Sequence, residues 1–119
     1  MRLIRVSKEF LASGYYGVAH GRMISGRHED ALKKIKKAIS IGPADYMSSL
    51  FLAKLGEIYM RMESYEDAIP VLEEAMDQLT KEISNPPKEV DMNIVFGTGQ
   101  YLQYCRDRIK DSEVSSCST

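Results

Sequence analysis

The sequence contains few of the residues that build metal-bound or covalent frameworks. Its 119 residues include only two cysteines and two histidines. Cys105 and Cys117 lack the spacing of a metal site or a redox motif, so we expect a reducing, cytoplasmic setting. His20 and His28 have no cysteine near them in the chain, which disfavours a metal site or a histidine-activated thiol nucleophile. The sequence therefore predicts a protein that is not an enzyme and that carries no metal or cofactor.

Long hydrophobic runs are also missing. A membrane-spanning helix needs about 18 or more apolar residues in a row, and no such run occurs although 44% of the residues are hydrophobic. The opening MRLIRVSKEF has no continuous apolar segment and no small-residue cleavage site, so we expect no secretory signal. The length is that of a single domain. We expect residues 1–110 to form it and residues 111–119 to be a disordered tail.

Charge is nearly balanced over the whole chain but not along it. The formal net charge is −1. Residues 1–45 hold nine Lys and Arg against four acidic residues, a net of +5, whereas residues 46–119 hold seven against thirteen, a net of −6. Because the two halves have opposite signs, head-to-tail association of copies is physically reasonable, although closed two-fold pairing is the commoner arrangement.

Apolar residues recur at helical spacing in successive segments, which predicts an all-α fold. Ser25-Gly26 is typical of a helix-ending turn, and Gly42-Pro43 and Asn85-Pro86-Pro87 end two further segments. The predicted helices cover about residues 7–24, 28–41, 44–62, 65–83 and 89–109.

Three glycines interrupt the first predicted helix. Each of Gly14, Gly17 and Gly21 weakens it by roughly 1 kcal/mol relative to alanine. At helical spacing all three lie near one face. The sequence therefore predicts a face that another helix could approach closely.

Two segments share the spacing of a helical repeat. The stronger copy has Leu52, Leu55, Gly56 and Tyr59 followed by Ala68, Leu72 and Ala75, and the weaker has Tyr15, Val18 and Ala19 followed by Ala31, Ile35, Ala38 and Pro43. This pattern resembles the tetratricopeptide repeat (TPR), a 34-residue helix–turn–helix unit. The sequence departs from it at Glu63 and Thr80, where the family has a small residue and proline. The resemblance implies a right-handed solenoid of antiparallel helix–turn–helix repeats with about five helices: repeat one at 12–45, repeat two at 49–82 and a capping helix at 89–109.

In the TPR family the first helix of each repeat lines a concave groove that binds peptides. The resemblance therefore implies a non-enzymatic adaptor that binds a peptide or helix of a partner protein. Arg61 could pair there with a carboxylate and Glu57 with a basic group. A chaperone-binding carboxylate clamp is not indicated, because Tyr16, His20 and Lys54 stand where that clamp has lysine and asparagines. The groove residues implied by the resemblance are Tyr16, His20, Met23, Ile24, Leu50, Ala53, Glu57, Met60 and Arg61.

The densest basic run is Lys33, Lys34, Lys36 and Lys37. It is most simply a solvated helix face, and the functional alternative is a site for an acidic protein segment or nucleic acid. No aromatic residue is interleaved with the lysines, and no phosphate-binding loop accompanies them. The sequence thus leaves two alternatives to the adaptor: a self-assembling structural subunit such as a homodimer, and, less favoured, nucleic-acid binding through this run.

Overall fold

Helices alone form the secondary structure of the residues that the structure describes. The computed structural model describes residues 7–42, 47–83 and 92–117, without the side chains of 82, 83 and 113–117. No strand occurs in these ranges, so the predicted all-α fold class is confirmed. The helices are α1 (Lys8–Ile24), α2 (His28–Ile41), α3 (Ser48–Arg61), α4 (Tyr65–Ile83) and α5 (Met92–Cys117).

The helix bounds follow the local sequence signals closely. The helices α2 and α4 begin and end at the predicted residues. Ser7 is the N-cap of α1, because its hydroxyl oxygen accepts a hydrogen bond of 3.1 Å from the Phe10 N–H. The helix α3 begins at Ser48 rather than at Ala44, and residues 43–46 lie outside the described ranges.

The prediction for the end of α5 is wrong. The helix continues past Ile109 to Cys117, so residues 111–117 are helical and not a disordered tail. No glycine or proline occurs after Gly99, and the chain therefore contains nothing that stops the helix at the predicted place. Residues 118–119 and the predicted start at residue 89 lie outside the described ranges.

The two turns inside the hairpins α1–α2 and α3–α4 have the same backbone geometry. Gly26 and Glu63, 37 positions apart, take left-handed conformations with φ of 82° and 60°. In each turn the next N–H donates to the carbonyl five positions back, at 2.8 Å after Gly26 and 2.9 Å after Glu63. This pattern is the Schellman helix ending. The chain is therefore built from two equivalent helical hairpins, followed by α5.

Small residues bring the helices close together along the stack. The hairpin α1–α2 and helix α3 enclose one buried cluster, with Ala12, Ala19, Ala31 and Ala38 fully buried beside the larger Phe51. A second cluster joins α4 to α5, with these buried members: Ala68, Leu72, Leu102 and Cys105. Burial raises the pKa of the Cys105 thiol above its ordinary value. The helices thus pack in chain order, and α5 covers the open side of α4.

The glycines of α1 face open space in this structure. A Cβ added at Gly14, Gly17 or Gly21 would meet no atom within 4 Å. The predicted close approach of another helix therefore has no counterpart within the described part of the chain.

We expect the substitution Gly17→Ala to raise the free energy of unfolding by about 0.5–1 kcal/mol, because alanine is the better helix former. Urea denaturation of both proteins measures the difference. The control is Gly26→Ala, which should destabilise the fold because Gly26 has a φ of 82°. Loss of stability in Gly17→Ala would show that this site is not open.

Candidate functional site

A concave cavity of about 180 Å³ lies between α1, α3 and α5. Of the predicted groove residues, Tyr16, Leu50, Ala53 and Glu57 line it together. The helix α5 forms the opposite wall, so the cavity is complete only after three helices have packed. The remaining lining residues are Lys54, Asn93, Ile94, Gly97, Thr98 and Tyr101.

A buried charge network forms the floor of this cavity. The Glu57 carboxylate accepts hydrogen bonds from Lys54 Nζ at 3.0 Å, from Arg61 Nη2 at 3.2 Å and from the Tyr101 hydroxyl at 3.3 Å. The side chains of Lys54 and Glu57 are only 10% and 11% exposed. Buried charges are tolerated when they are paired and hydrogen-bonded. Glu57 is therefore already paired inside the chain, which corrects the expectation that it would meet a basic group of a partner.

His20 belongs to the same network. Its Nδ1 lies 2.8 Å from Lys54 Nζ. The lysine ammonium group can only donate, so Nδ1 must accept, and the proton of the neutral imidazole resides on Nε2. His20 itself is exposed. The network therefore runs from a solvent-exposed imidazole on α1 to a buried carboxylate on α3.

Two tyrosines, Tyr16 and Tyr101, contact this charge network. The Tyr16 ring stacks on Phe51 with centroids 5.0 Å apart, and Lys54 Nζ lies 5.8 Å from the Tyr16 centroid. Burial raises the pKa of the Tyr16 and Tyr101 hydroxyls above the ordinary value, and the negative charge of Glu57 adds to both shifts. Both hydroxyls thus stay protonated at neutral pH, and the Tyr101 hydroxyl donates to Glu57.

A second hollow of about 480 Å³ lies between α3, α4 and α5. Tyr101 lines both hollows, and the predicted groove residues Met60 and Arg61 line the second one. We call the two hollows together the concave groove. The residues that complete the second hollow are Glu63, Tyr65, Gln100 and Tyr104.

Two predicted groove residues of α1, Met23 and Ile24, line neither hollow. Met23 is only 2% exposed and packs in the core cluster of α1, α2 and α3. It lies at helical spacing from Ala12 and Ala19, so it shares the buried stripe of α1 rather than the groove side. Ile24 is 65% exposed but lines neither hollow. Tyr16 is therefore the residue of α1 that lines the groove, and His20 contacts the groove residue Lys54.

Sequence reasoning missed Tyr101 as a functional residue. It lies on the apolar stripe of α5, where a tyrosine is indistinguishable from a core aromatic residue. The only available signal was its hydroxyl group, which needs a hydrogen-bond partner when it is buried. That partner, Glu57, is 44 positions away.

The lysines of the basic run differ in their exposure and contacts. Lys33, Lys36 and Lys37 are exposed, whereas Lys34 is half-buried. Lys36 Nζ lies 5.7 Å from the ring centroid of Tyr59, so it is held by α3. None of the four lysines forms an ion pair with another described residue.

Comparisons of the chain with protein-family models, with curated proteins and with solved structures found no match. Within residues 7–42, 47–83 and 92–117, no helix is long and apolar enough to cross a membrane. The same ranges contain no group of three or more His, Cys, Asp and Glu residues that could hold a metal ion. The geometry of the groove is therefore the basis on which a function can be assigned.

Proposed function

We propose that this chain is a non-enzymatic, TPR-like adaptor that binds a peptide or a helix of a partner protein in the concave groove. The observation that carries the proposal is the groove itself. The first helices of the two hairpins, α1 and α3, line it together with α5. The equivalent turns at Gly26 and Glu63 are what two copies of one helix–turn–helix unit would have.

The groove suits a segment with one small apolar side chain and one carboxylate. A cavity of about 180 Å³ can receive a small side chain, and its walls include Leu50, Ala53 and Ile94. Arg61 contacts Glu57 through Nε and Nη2, which leaves its Nη1 group without a partner among the described residues. Its side chain is 42% exposed, so a carboxylate of the partner can reach it.

The buried network supports binding because it fixes the groove floor in advance. Lys54, Glu57 and Tyr101 are held by one another before any partner arrives. A preorganised surface loses less conformational entropy when a partner binds. Affinity would then come from the exposed wall residues rather than from the floor.

We expect Arg61→Ala and Tyr16→Ala to weaken partner binding about tenfold or more, which corresponds to roughly 1.4 kcal/mol. A partner is first identified by cross-linking, and fluorescence anisotropy of its purified binding segment then gives the affinity. The control is Lys81→Ala, which removes the i,i+4 ion pair between Lys81 and Asp77 on α4. Neither residue lines the groove. Equal affinities for all four proteins, or no partner at all, would refute the groove assignment.

Nucleic-acid binding through residues 33–37 has less support. Lys36 is held at the Tyr59 ring and Lys34 is half-buried, so only part of the run is presented to solvent. Salt-dependent RNA binding that disappears when the four lysines are changed to glutamate would favour this alternative.

A further inference from the structure

The contact between His20 and Lys54 requires an uncharged imidazole. Nδ1 of His20 lies 2.8 Å from Lys54 Nζ. The ammonium group has donors only, so the hydrogen bond exists only while Nδ1 is free to accept. An imidazolium carries a proton on both nitrogens, and it would also place two positive charges side by side. The contact is therefore incompatible with a protonated His20.

The two partners differ in their access to water. His20 is exposed, so protons reach its imidazole directly. The side chain of Lys54 is only 10% exposed, and its Nζ also donates to the Glu57 carboxylate at 3.0 Å. The buried ion pair with Glu57 thus holds Lys54 in place. When both groups are charged, the exposed imidazole is the one that can move away.

No carboxylate is placed to stabilise a charged His20. Within the described ranges His20 forms no ion pair with an acidic residue. The α2 carboxylate that reaches α1, that of Asp30, lies 3.0 Å from Arg22 Nε. Arg22 is two positions from His20, so the two side chains point to nearly opposite sides of α1.

The groups on the groove side of His20 are already engaged with one another. Glu57 is the only negative charge among them, and its two oxygens accept hydrogen bonds from all three donors of the network. The titratable and charged groups on this side, from α1, α3 and α5, are Tyr16, Lys54, Glu57, Arg61 and Tyr101.

The His20 contact joins α1 to α3 beside the groove. His20 and Lys54 are 34 positions apart in the chain. One turn before His20, Tyr16 stacks on Phe51 of α3 with ring centroids 5.0 Å apart. Both contacts hold the groove side of α1 against α3. Loss of the hydrogen bond therefore weakens the attachment of this wall of the groove.

We propose that His20 and Lys54 form a proton-sensitive latch, which joins α1 to α3 at neutral pH and is released when His20 takes up a proton in mild acid. Imidazole is the side chain that ordinarily changes charge between about pH 5 and 8. Protons then bind the unfolded chain more readily than the folded one, so stability falls as the pH falls. The latch does not depend on the proposed partner.

The test is carried out on the full chain with His28→Gln, so that His20 is the only imidazole left. His28 is the first residue of α2 and takes no part in the charge network. Circular dichroism checks the helical content, and urea denaturation gives the folding equilibrium constant at about pH 7.5 and about pH 5.5. This parent should lose about fivefold to tenfold in folding constant, tenfold being close to the limit for an imidazole whose pKa in a free chain is about 6.5.

Two variants of this parent separate the charge from the contact. His20→Gln keeps an oxygen that can accept from Lys54 but cannot take up a proton, so its folding constant should change by less than about twofold between the two pH values. His20→Lys has no acceptor at any pH. Its folding constant at about pH 7.5 should therefore resemble that of the parent at about pH 5.5.

The nitrogen chemical shifts of His20 in the wild-type chain give an independent readout. At neutral pH they should show the Nε2–H tautomer, because Nδ1 accepts from Lys54. An Nδ1–H tautomer would overturn the proposal even if a substitution prevented folding. A parent with the same folding constant at both pH values would also overturn it, as would a His20→Gln variant with the full pH response of the parent. Neither measurement requires a partner, so this test and that of the groove can fail separately.

Discussion

Replacing Glu57 with alanine is expected to lower the free energy of unfolding by about 3–5 kcal/mol, the loss typical of breaking a buried ion pair. The side chain of Lys54 is only 10% exposed, and the substitution removes its carboxylate partner and leaves His20 as its hydrogen-bond partner. It also removes the acceptor of the Tyr101 hydroxyl, which links α3 to α5. Urea denaturation followed by circular dichroism measures the loss.

Two matched variants test the cause of this loss. Lys54→Met should cost less than Glu57→Ala, because Glu57 keeps its bonds to Arg61 and Tyr101. The double variant Lys54→Met with Glu57→Leu removes both buried charges, and its stability should be close to wild type or above it. If Glu57→Ala lowered the free energy of unfolding by less than about 1 kcal/mol, the charged groups of Lys54 and Glu57 would be solvated by water as in a surface ion pair.

Replacing Gly56 with valine is expected to lower the free energy of unfolding by about 3 kcal/mol, at the upper end of typical overpacking losses. A Cβ at Gly56 would lie 2.5 Å from Leu72 Cγ, closer than any ordinary contact. Leu72 is fully buried in the cluster that joins α4 to α5, so it has little room to move. Thermal and urea denaturation both measure the effect.

The control is the same substitution at an open glycine. Gly17→Val adds the same atoms on α1, where nothing lies within 4 Å, and should change stability by less than about 0.5 kcal/mol. Gly56→Ala should also lower the stability, because it adds the same Cβ. Adding Leu72→Val to Gly56→Ala should recover part of that loss, because the two sites share one contact. If Gly56→Val were as stable as Gly17→Val, the close packing of α3 on α4 would not exist in solution.

Much of the helical architecture could be predicted because its signals are local. The bounds of α2 and α4 follow from apolar spacing at period 3.6 and from the residues next to them in the chain. The turn at Gly26 has the residue that a left-handed conformation prefers. At Glu63 the sequence predicted the break between two helices but not the left-handed conformation, since a glutamate takes that conformation only at an energetic cost that packing of the hairpin must offset.

The groove could be predicted only in part. Tyr16, Leu50 and Ala53 line the first hollow as the repeat pattern implies, and Met60 and Arg61 line the second. Met23 is buried instead, because spacing alone does not tell which side of α1 faces α2 and which faces the groove.

By itself the sequence determined the helices, the order of the hairpins and the opposite charges of the two halves, because these depend on residues close together in the chain. Only the tertiary structure decided which polar groups meet. His20 and Lys54 are 34 positions apart, and Glu57 and Tyr101 are 44 apart. Contacts at such separations depend on how whole helices are rotated and spaced when they pack, and no local pattern specifies that geometry.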